Sequence, residues 1–263
     1  EIQQPDAIIQ LGDFAVPAEK NRALVNRFNT AHSRTLHVLG NHDIDGGYTT
    51  EQVLDFWEMK ARYYSQDLGG VRLIVLDGNE MPAKLTEKYP AHIGPQQLEW
   101  LRGELQSHES PIVVFSHQPL AGAWPIDNAE EVRRVLSTAS SQVVLALNGH
   151  SHIDDLVRVD NVNYLHVNSA SYVWVGKSFG HPSYSKEILS AYPRLAFACP
   201  YRDALFTTLT LEPDSGDITI QERKSEWVGE SPAQLGRDKH PNLINGEQIA
   251  PRIRSRRIAR VAQ

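Results

Sequence analysis

A short apolar run, Leu36-His37-Val38-Leu39, leads into a polar tetrapeptide that begins with glycine, Gly40-Asn41-His42-Asp43. An apolar run of this length, with a β-branched residue in it, predicts a buried strand, which we place at residues 35–39. The glycine allows the backbone to turn sharply and to approach a ligand closely. This stretch therefore predicts a strand whose carboxyl end carries side chains able to bind a metal.

Three other apolar runs end in the same manner. They cover residues 7–11, 112–115 and 143–147. The metal-binding residue types that follow them are Asp13, His117, His150 and His152. In open α/β sheets, sites form outside the carboxyl ends of strands, where several loops converge. Four strand ends of this kind predict that their side chains meet around one site.

Amphipathic segments lie between these strands and predict helices. Residues 18–31 and 49–59 place apolar side chains at helical spacing, the second behind a Thr-x-x-Gln capping box. Pro95 and Asn128 open two further helices, with Asn128 as the expected cap of the second. Another apolar strand is predicted at residues 71–76. Strands that alternate with helices indicate an α/β layered fold.

The pattern changes after residue 150. Residues 156–167 and 205–222 each contain two apolar runs around a turn signal, and they predict two hairpins of a further sheet or of the far half of a sandwich. From Gly229 onward the chain is rich in Pro, Gly and Arg and has no clear period. We expect a domain at residues 1–228, followed at 229–263 by a solvated tail or a strap across the domain surface.

Composition excludes several classes of protein. A length of 263 residues suits one large domain, and the net charge of −6 argues against a general nucleic-acid or anionic-membrane surface. One cysteine, Cys199, rules out an internal disulfide and a cysteine-rich metal site. No apolar run approaches the length that crosses a bilayer, so no membrane partner is expected. The cellular location is unknown from the sequence.

The candidate ligands share a chemistry as well as a position. A carboxylate, a carboxamide and imidazoles make a mixed oxygen and nitrogen set, which suits Mn, Fe or Zn better than Ca or Mg alone. Four short motifs follow one another between Gly12 and His152, in the order Gly-Asp, Gly-Asn-His-Asp, Ser-His and Gly-His-Ser-His. This set of motifs resembles that of the calcineurin-like metallophosphoesterase superfamily. The resemblance implies an α/β sandwich with two central mixed sheets flanked by helices. It also implies two divalent metal ions and hydrolysis of a small phosphorylated substrate, a mono- or diester, by metal-activated hydroxide.

The resemblance assigns a role to each matching residue. Asp13 would bridge two metals, and one of these metals would also be bound by Asn41, His117 and His150. His152 would bind the other metal. His42 would lie beside the phosphate and protonate the leaving oxygen or stabilise the transition state, and Asp43 would orient its imidazole.

One family motif has no counterpart. Members carry Asp-x-His at the end of a first strand, but only twelve residues precede Asp13 and residues 7–11 already form its strand. A further strand and crossover need a dozen or more residues. Asp238-Lys239-His240 matches the Asp-x-His pattern, but no predicted strand precedes it. We therefore treat this match as a coincidence. We expect that the first strand, its helix and this motif lie upstream of the sequence, and that this chain binds one metal better than two and has weak or no activity.

The substrate contacts and two rival functions stay open. Tyr172, Lys177 and Arg202 are candidate substrate contacts in an aromatic-rich segment, which packing of an irregular cap explains equally well. His37 and His166 are expected to be core histidines. One rival reading is a binding module that keeps the fold without catalysis. The other is a nuclease, for which the sequence provides no basic groove.

Overall fold

The structure, a computed structural model, describes residues 4–82, 89–239, 243 and 248–259. Its largest sheet has six strands in the order β3-β4-β5-β6-β8-β7. Their bounds, in chain order, are β3 Tyr64–Leu68, β4 Val71–Val75, β5 Ile112–Ser116, β6 Val143–Asn148, β7 Asp155–Val159 and β8 Val162–His166. Strands β4, β5, β6 and β8 are parallel, whereas β3 and β7 pair antiparallel at the two edges. The sheet is therefore mixed, with parallel strands at its centre.

Smaller sheets pack against one face of the six-stranded sheet. Strands β1 (Ile8–Gln10) and β2 (Thr35–His37) form a parallel pair. Strands β11 (Leu209–Leu211), β12 (Ile218–Ile220) and β15 (Arg256–Ile258) form an antiparallel sheet. Leu36, Val113 and Ile218, one from each of the three sheets, belong to one buried cluster. The expected sandwich is confirmed, although its second layer is divided into separate small sheets over the described residues.

Helices cover the remaining faces. Helices α3 (Pro95–Gln106) and α4 (Ala129–Ser137) pack on the far side of the six-stranded sheet. Helices α1 (Arg22–Ala31) and α2 (Thr50–Trp57) pack on β1 and β2 around a smaller core. No helix among the described residues combines the length and the apolar character needed to cross a bilayer.

The helix starts follow the sequence signals with one exception. Thr49 and Gln52 form the predicted capping box of α2, and Pro95 is the first residue of α3. Asn128 stands at the start of α4, but its side chain does not cap the helix. Its Oδ1 accepts the backbone N–H of Ile93 at 3.1 Å instead. The Asn128 side chain that we expected to cap α4 therefore binds the loop before α3 instead.

The second half contains short pairs of strands. Asp160 and Asn161 join β7 to β8 with φ of 50° and 63°, the left-handed pair of a tight hairpin turn. Strands β9 (Tyr172–Trp174) and β10 (Ala198–Pro200) enclose a helix α5 (Lys186–Ala191). Strands β13 (Arg223–Lys224) and β14 (Arg252–Ile253) also pair. The arginine-rich segment 248–259 thus contributes two strands, β14 and β15, to the sheets of the domain.

Candidate metal centre

Three of the predicted ligands converge at the carboxyl ends of strands. Asp13 follows β1, His117 follows β5 directly, and His150 follows β6. One ligand atom of each lies within 4.8 Å of the other two. Neighbouring parallel strands β5 and β6 bring the two histidines to the same sheet edge, and packing of the β1–β2 pair on that sheet brings in the carboxylate.

The ring of His117 is fixed with one nitrogen facing the other two residues. Its Nδ1 lies 2.6 Å from the carbonyl oxygen of Leu11 and donates its hydrogen there. Its Nε2 lies 3.2 Å from Asp13 Oδ2 and 3.2 Å from His150 Nδ1. A hydrogen bond from one ring nitrogen to a carbonyl sets the tautomer that leaves the other nitrogen free to bind a metal.

Asn41 has the properties of a fourth ligand. Its side chain is buried, with 2% of the residue surface exposed. Its Oδ1 has no hydrogen-bond partner among the residues that the structure describes. A buried polar atom without a partner is rare and requires an explanation such as an ion. The orphaned oxygen therefore fits a divalent cation, which carboxylate oxygen and imidazole nitrogen also suit.

The loops that carry the ligands adopt strained backbone conformations. Asp13, His150 and His152 have φ of 54°, 58° and 51°, in the left-handed region that non-glycine residues rarely occupy. Strain of this kind persists where surrounding structure fixes it, and it clusters at functional sites. Gly12 and Gly40 allow the loops to approach each other: a Cβ on Gly40 would lie 2.1 Å from the amide nitrogen of Asp13.

Burial and neighbouring charges set the protonation of these groups. Burial alone would raise the pKa of Asp13, but the charge of His117 and its hydrogen bond outweigh this effect and hold the pKa well below its usual range. Burial lowers the pKa of His150 to about 3, helped by His117, and that of His152 to about 4. Burial alone would lower the pKa of His117, but the charge of Asp13 and its hydrogen bond outweigh this effect and raise it. Because neutral imidazoles and ionised carboxylates are the forms that bind metals, a metal bound by His117 would have to displace its Nε2 proton.

Asp43 does not contact the ring of His42, contrary to our expectation. Its Oδ2 accepts the backbone N–H groups of Asp13 and Gly40 at 3.0 and 2.7 Å, and its Oδ1 accepts that of Ala15 at 3.1 Å. Both oxygens are occupied by the main chain because the loop after β2 folds back over the loop after β1. Asp43 therefore holds the loop of Asp13.

The carboxylate beside His42 belongs to Asp45. Its Oδ2 lies 3.0 Å from His42 Nδ1. The backbone N–H of His42 donates to Asp13 Oδ1 at 2.9 Å, which places the residue at the edge of the ligand cluster. The imidazole is 46% exposed. It contacts Tyr89 in a tilted arrangement, with ring centroids 4.4 Å apart and ring planes at 56°.

His152 lies near the cluster but outside the three-residue group. Its Nδ1 accepts the backbone N–H of Trp174 at 3.2 Å, and its ring meets the ring of Tyr172 at 5.0 Å. Tyr172 is thus the one predicted substrate contact that touches a predicted ligand. Lys177 is exposed in a short 3-10 helix, Lys177–Phe179, and Arg202 forms an ion pair with Glu226.

Sequence analysis missed several residues that build the site. The contact of Asp45 with His42 was not predicted, although the two residues are only three positions apart in the sequence. For Asp77, which follows the strand predicted at residues 71–76, the sequence favours a turn role before Gly78 over a place in the site, and its buried network was not predicted. Asp77 accepts Arg62 Nε at 2.6 Å and the side chain of Asn79 at 2.7 Å, and Asn79 donates to the carbonyl of Leu39 at 3.0 Å. This network supports the end of the segment that leads to Asn41, and it joins residues too far apart along the chain for spacing to reveal.

Comparisons with known proteins identify the family and the fold. A family model described as calcineurin-like phosphoesterase matches residues 1–154. No curated protein sequence matches the chain significantly. A dimetal phosphatase from Danio rerio is similar in structure, with a TM-score of 0.57 and 15% identity, over 97% of this chain and 84% of that one.

A second similar structure is GAP50, described as the anchor in the inner membrane complex of Plasmodium. Its TM-score is 0.53 and its identity 14%, over 98% of this chain and 79% of that one. At these identities both likenesses show the fold alone. The family model covers more than half of the residues and includes all the strand-end ligands. The chain therefore belongs to the calcineurin-like phosphoesterase family.

Proposed function

We propose that this chain hydrolyses phosphate esters with a divalent metal held by Asp13, Asn41, His117 and His150. The observation that carries the proposal is the convergence of Asp13, His117 and His150 within 4.8 Å, at the ends of three separate strands. The unpartnered oxygen of Asn41 adds a fourth donor of a suitable kind. The family supports metal-dependent phosphoester hydrolysis in general.

A bound divalent cation would supply the charge that holds a phosphoryl oxygen and lowers the pKa of a coordinated water. The protein's own contribution is to keep the donors in place. Asp13 is held through its backbone by Asp43, and His117 through its Nδ1 by the carbonyl of Leu11. Because the donors are fixed before the substrate binds, little reorganisation accompanies the reaction.

His42 is suited to act on the leaving oxygen. Its backbone contact with Asp13 places it beside the donors, and its exposed ring is accessible to a substrate. We assign it the transfer of a proton to the leaving oxygen, a role that typically contributes 10²–10⁴-fold to the rate. Aromatic side chains lie next to it and next to His152, namely Tyr89 and Tyr172. These rings would border a small phosphorylated substrate, either a monoester or a diester.

A non-catalytic binding module is the rival proposal. GAP50, which shares the fold at 14% identity, is described as an anchor, and this description is the reason to keep the alternative. The pairing of Asp45 with the exposed imidazole of His42 argues for the enzyme, because a scaffold has no need of an oriented proton donor. A nuclease would need a basic groove, which the net charge of −6 does not favour.

Metal binding and turnover test the proposal together. We expect the protein to bind Mn, Fe or Zn, with one ion held more tightly than a second, and to hydrolyse a nitrophenyl phosphate monoester or diester at a low rate. His150→Ala should abolish tight binding in calorimetry and mass spectrometry of the native protein. His108→Ala is the matched control, because His108 precedes the amino end of β5 whereas His117 follows the carboxyl end of that strand. Two equally tight ions would contradict the single-metal preference, and metal binding without turnover would favour the module.

A further inference from the structure

The ring of His42 is fixed by a carboxylate that its own loop provides. Asp45 Oδ2 lies 3.0 Å from His42 Nδ1, within hydrogen-bond distance. Asp43, the nearer carboxylate in sequence, has both oxygens occupied by backbone N–H groups. Among the described residues, Asp45 is the one whose carboxylate makes this contact with the imidazole.

Asp45 is itself held by residues from two distant segments. Its Oδ1 accepts the hydroxyl hydrogen of Tyr89 at 3.3 Å, and its Oδ2 lies 3.7 Å from Nη1 of Arg194. Arg194 belongs to the 3-10 helix Pro193–Phe197, in the segment between β9 and β10. The Asp45 side chain is only 23% exposed, whereas that of Arg194 is 83% exposed. The carboxylate therefore has a fixed position although it lies at the rim of the site.

We infer that Asp45 is the positioning residue for His42. With Nδ1–H donated to Asp45, the imidazole presents Nε2 to the substrate, and the ring also contacts the tilted ring of Tyr89. In the proposed hydrolysis the imidazolium of His42 gives its Nε2 proton to the leaving oxygen and is left as the neutral Nδ1–H tautomer, while Asp45 neither gains nor loses a proton. This inference rests on the proposed function for its kinetic consequence, but not for its geometry.

Asp45→Asn is the first variant to measure. We expect kcat to fall by about 10- to 100-fold, as for residues that orient a catalytic or ligand imidazole, with KM little changed. The loss should be larger for an alkyl phosphate than for nitrophenyl phosphate, because a poor leaving group depends more on protonation. Asp45→Glu should recover part of the rate. Asp55→Asn, which removes the same charge from the exposed side of α2, should leave kcat within two-fold.

A double-mutant cycle with His42→Ala shows whether Asp45 acts through His42. In the His42→Ala background, Asp45→Asn should lower kcat by less than about two-fold, because coupled residues do not add. An undiminished loss in that background would overturn the inference. So would loss of bound metal from Asp45→Asn, measured by mass spectrometry, since Asp45 would then support the metal site rather than the imidazole.

Nitrogen NMR of the His42 ring provides a readout that does not require turnover. The wild-type spectrum should show hydrogen on Nδ1, and Asp45→Asn should give a mixture of tautomers. If the wild type has no activity but this change occurs, the proposed function fails and the positioning role stands. If the wild type is active and Asp45→Asn changes neither the spectrum nor kcat, the positioning role is wrong.

Discussion

The carboxylate of Asp43 fixes the main chain of Asp13, whose amide hydrogen it accepts at 3.0 Å. The same carboxylate accepts the amides of Gly40 at 2.7 Å and Ala15 at 3.1 Å. It thus ties the loop after β2 to the loop after β1, the two loops that carry Asn41 and Asp13. Asp13 lies beside the other predicted ligands in a left-handed conformation, φ 54°, and these hydrogen bonds support that conformation.

Asp43→Asn should therefore loosen the site without removing a predicted ligand. An asparagine amide would place N–H groups against either the Ala15 amide or the amides of Asp13 and Gly40. We expect a loss of about 2 kcal/mol in the free energy of unfolding, since the bonds are buried and one partner can carry charge. Weaker metal binding should accompany it. Urea unfolding and calorimetry measure both, with Asp55→Asn as the exposed control, and a variant as stable as that control would contradict the assigned role.

Gly12→Ala tests the close approach of the loops. A Cβ on Gly12 would lie 2.4 Å from His117 Nδ1 and 2.8 Å from the backbone nitrogen of Gly40. Gly47 has almost the same backbone, φ 87° against 91°, but a Cβ there meets nothing within 4 Å. Gly47→Ala should cost about 1 kcal/mol from the left-handed conformation alone.

Because Gly12→Ala adds a clash to that strain, we expect it to cost about 3 kcal/mol or more. Displacement of the His117 ring should also weaken metal binding, which Gly47→Ala should leave unchanged. Thermal unfolding and metal titration of the two variants provide the comparison. Equal losses of unfolding free energy in the two variants would show that a Cβ at position 12 is accommodated without a clash.

His37 should make stability depend on pH. Its Nδ1 faces Gln10 Nε2 at 3.1 Å and its Nε2 faces Asn29 Oδ1 at 2.8 Å, so the neutral ring satisfies both partners. Burial lowers the pKa of His37 to about 4, from an unfolded value of 6.5. The folded state thus binds fewer protons than the unfolded state between these values. Its stabilising contribution is present above pH 6.5 and is lost as the pH falls towards 4.

The contribution lost by pH 5 is about 2 kcal/mol. His37→Gln has no group that titrates there, so its free energy of unfolding should change less between pH 7 and pH 5 than that of the wild type, by about this amount. Denaturant unfolding at both values, with a chelator present throughout, isolates the effect from metal binding. Parallel pH profiles for the two proteins would show that His37 is not responsible.

The sequence predicts the ligands better than it predicts their supports. Asp13, His117 and His150 all follow apolar runs. The parallel neighbours β5 and β6 bring His117 and His150 to one sheet edge, whereas Asp13 comes from the separate β1–β2 sheet. Whether Asp43 or Asp45 contacts the ring of His42 depends on the conformation of one short loop, and no periodicity in the sequence predicts that conformation. Strand β3 was missed because Tyr64–Leu68 is largely polar, as an edge strand can be.

Asp154 joins the segment that follows His152 to residues about 100 positions later in the chain. It lies two residues after His152, is fully buried, and accepts Arg254 Nε and Arg256 Nη1, each at 2.6 Å. Its backbone N–H donates to the carbonyl of Gln248 at 2.9 Å. The arginine-rich segment 248–259 is thereby fastened beside the loop of the last two histidines.

Asp154→Ala should destabilise the protein strongly. Removing one partner from a buried ion pair leaves charges without compensation, at a cost of about 3–5 kcal/mol, and the partial exposure of Arg254 favours the lower value. Glu130→Ala is the matched control, because its pair with Arg134 lies on the surface of α4 with side chains 79% and 70% exposed. That variant should lose less than about 1 kcal/mol.

Limited proteolysis distinguishes a local effect from a global one. If Asp154 fastens the segment, Asp154→Ala should be cleaved within residues 248–259 under native conditions, while Glu130→Ala should resist as the wild type does. Metal affinity should fall with the same variant, since the His150 loop loses its anchor. If the segment resists cleavage and metal affinity is unchanged, the pairing of β15 with β12 is sufficient to hold both the segment 248–259 and the His150 loop.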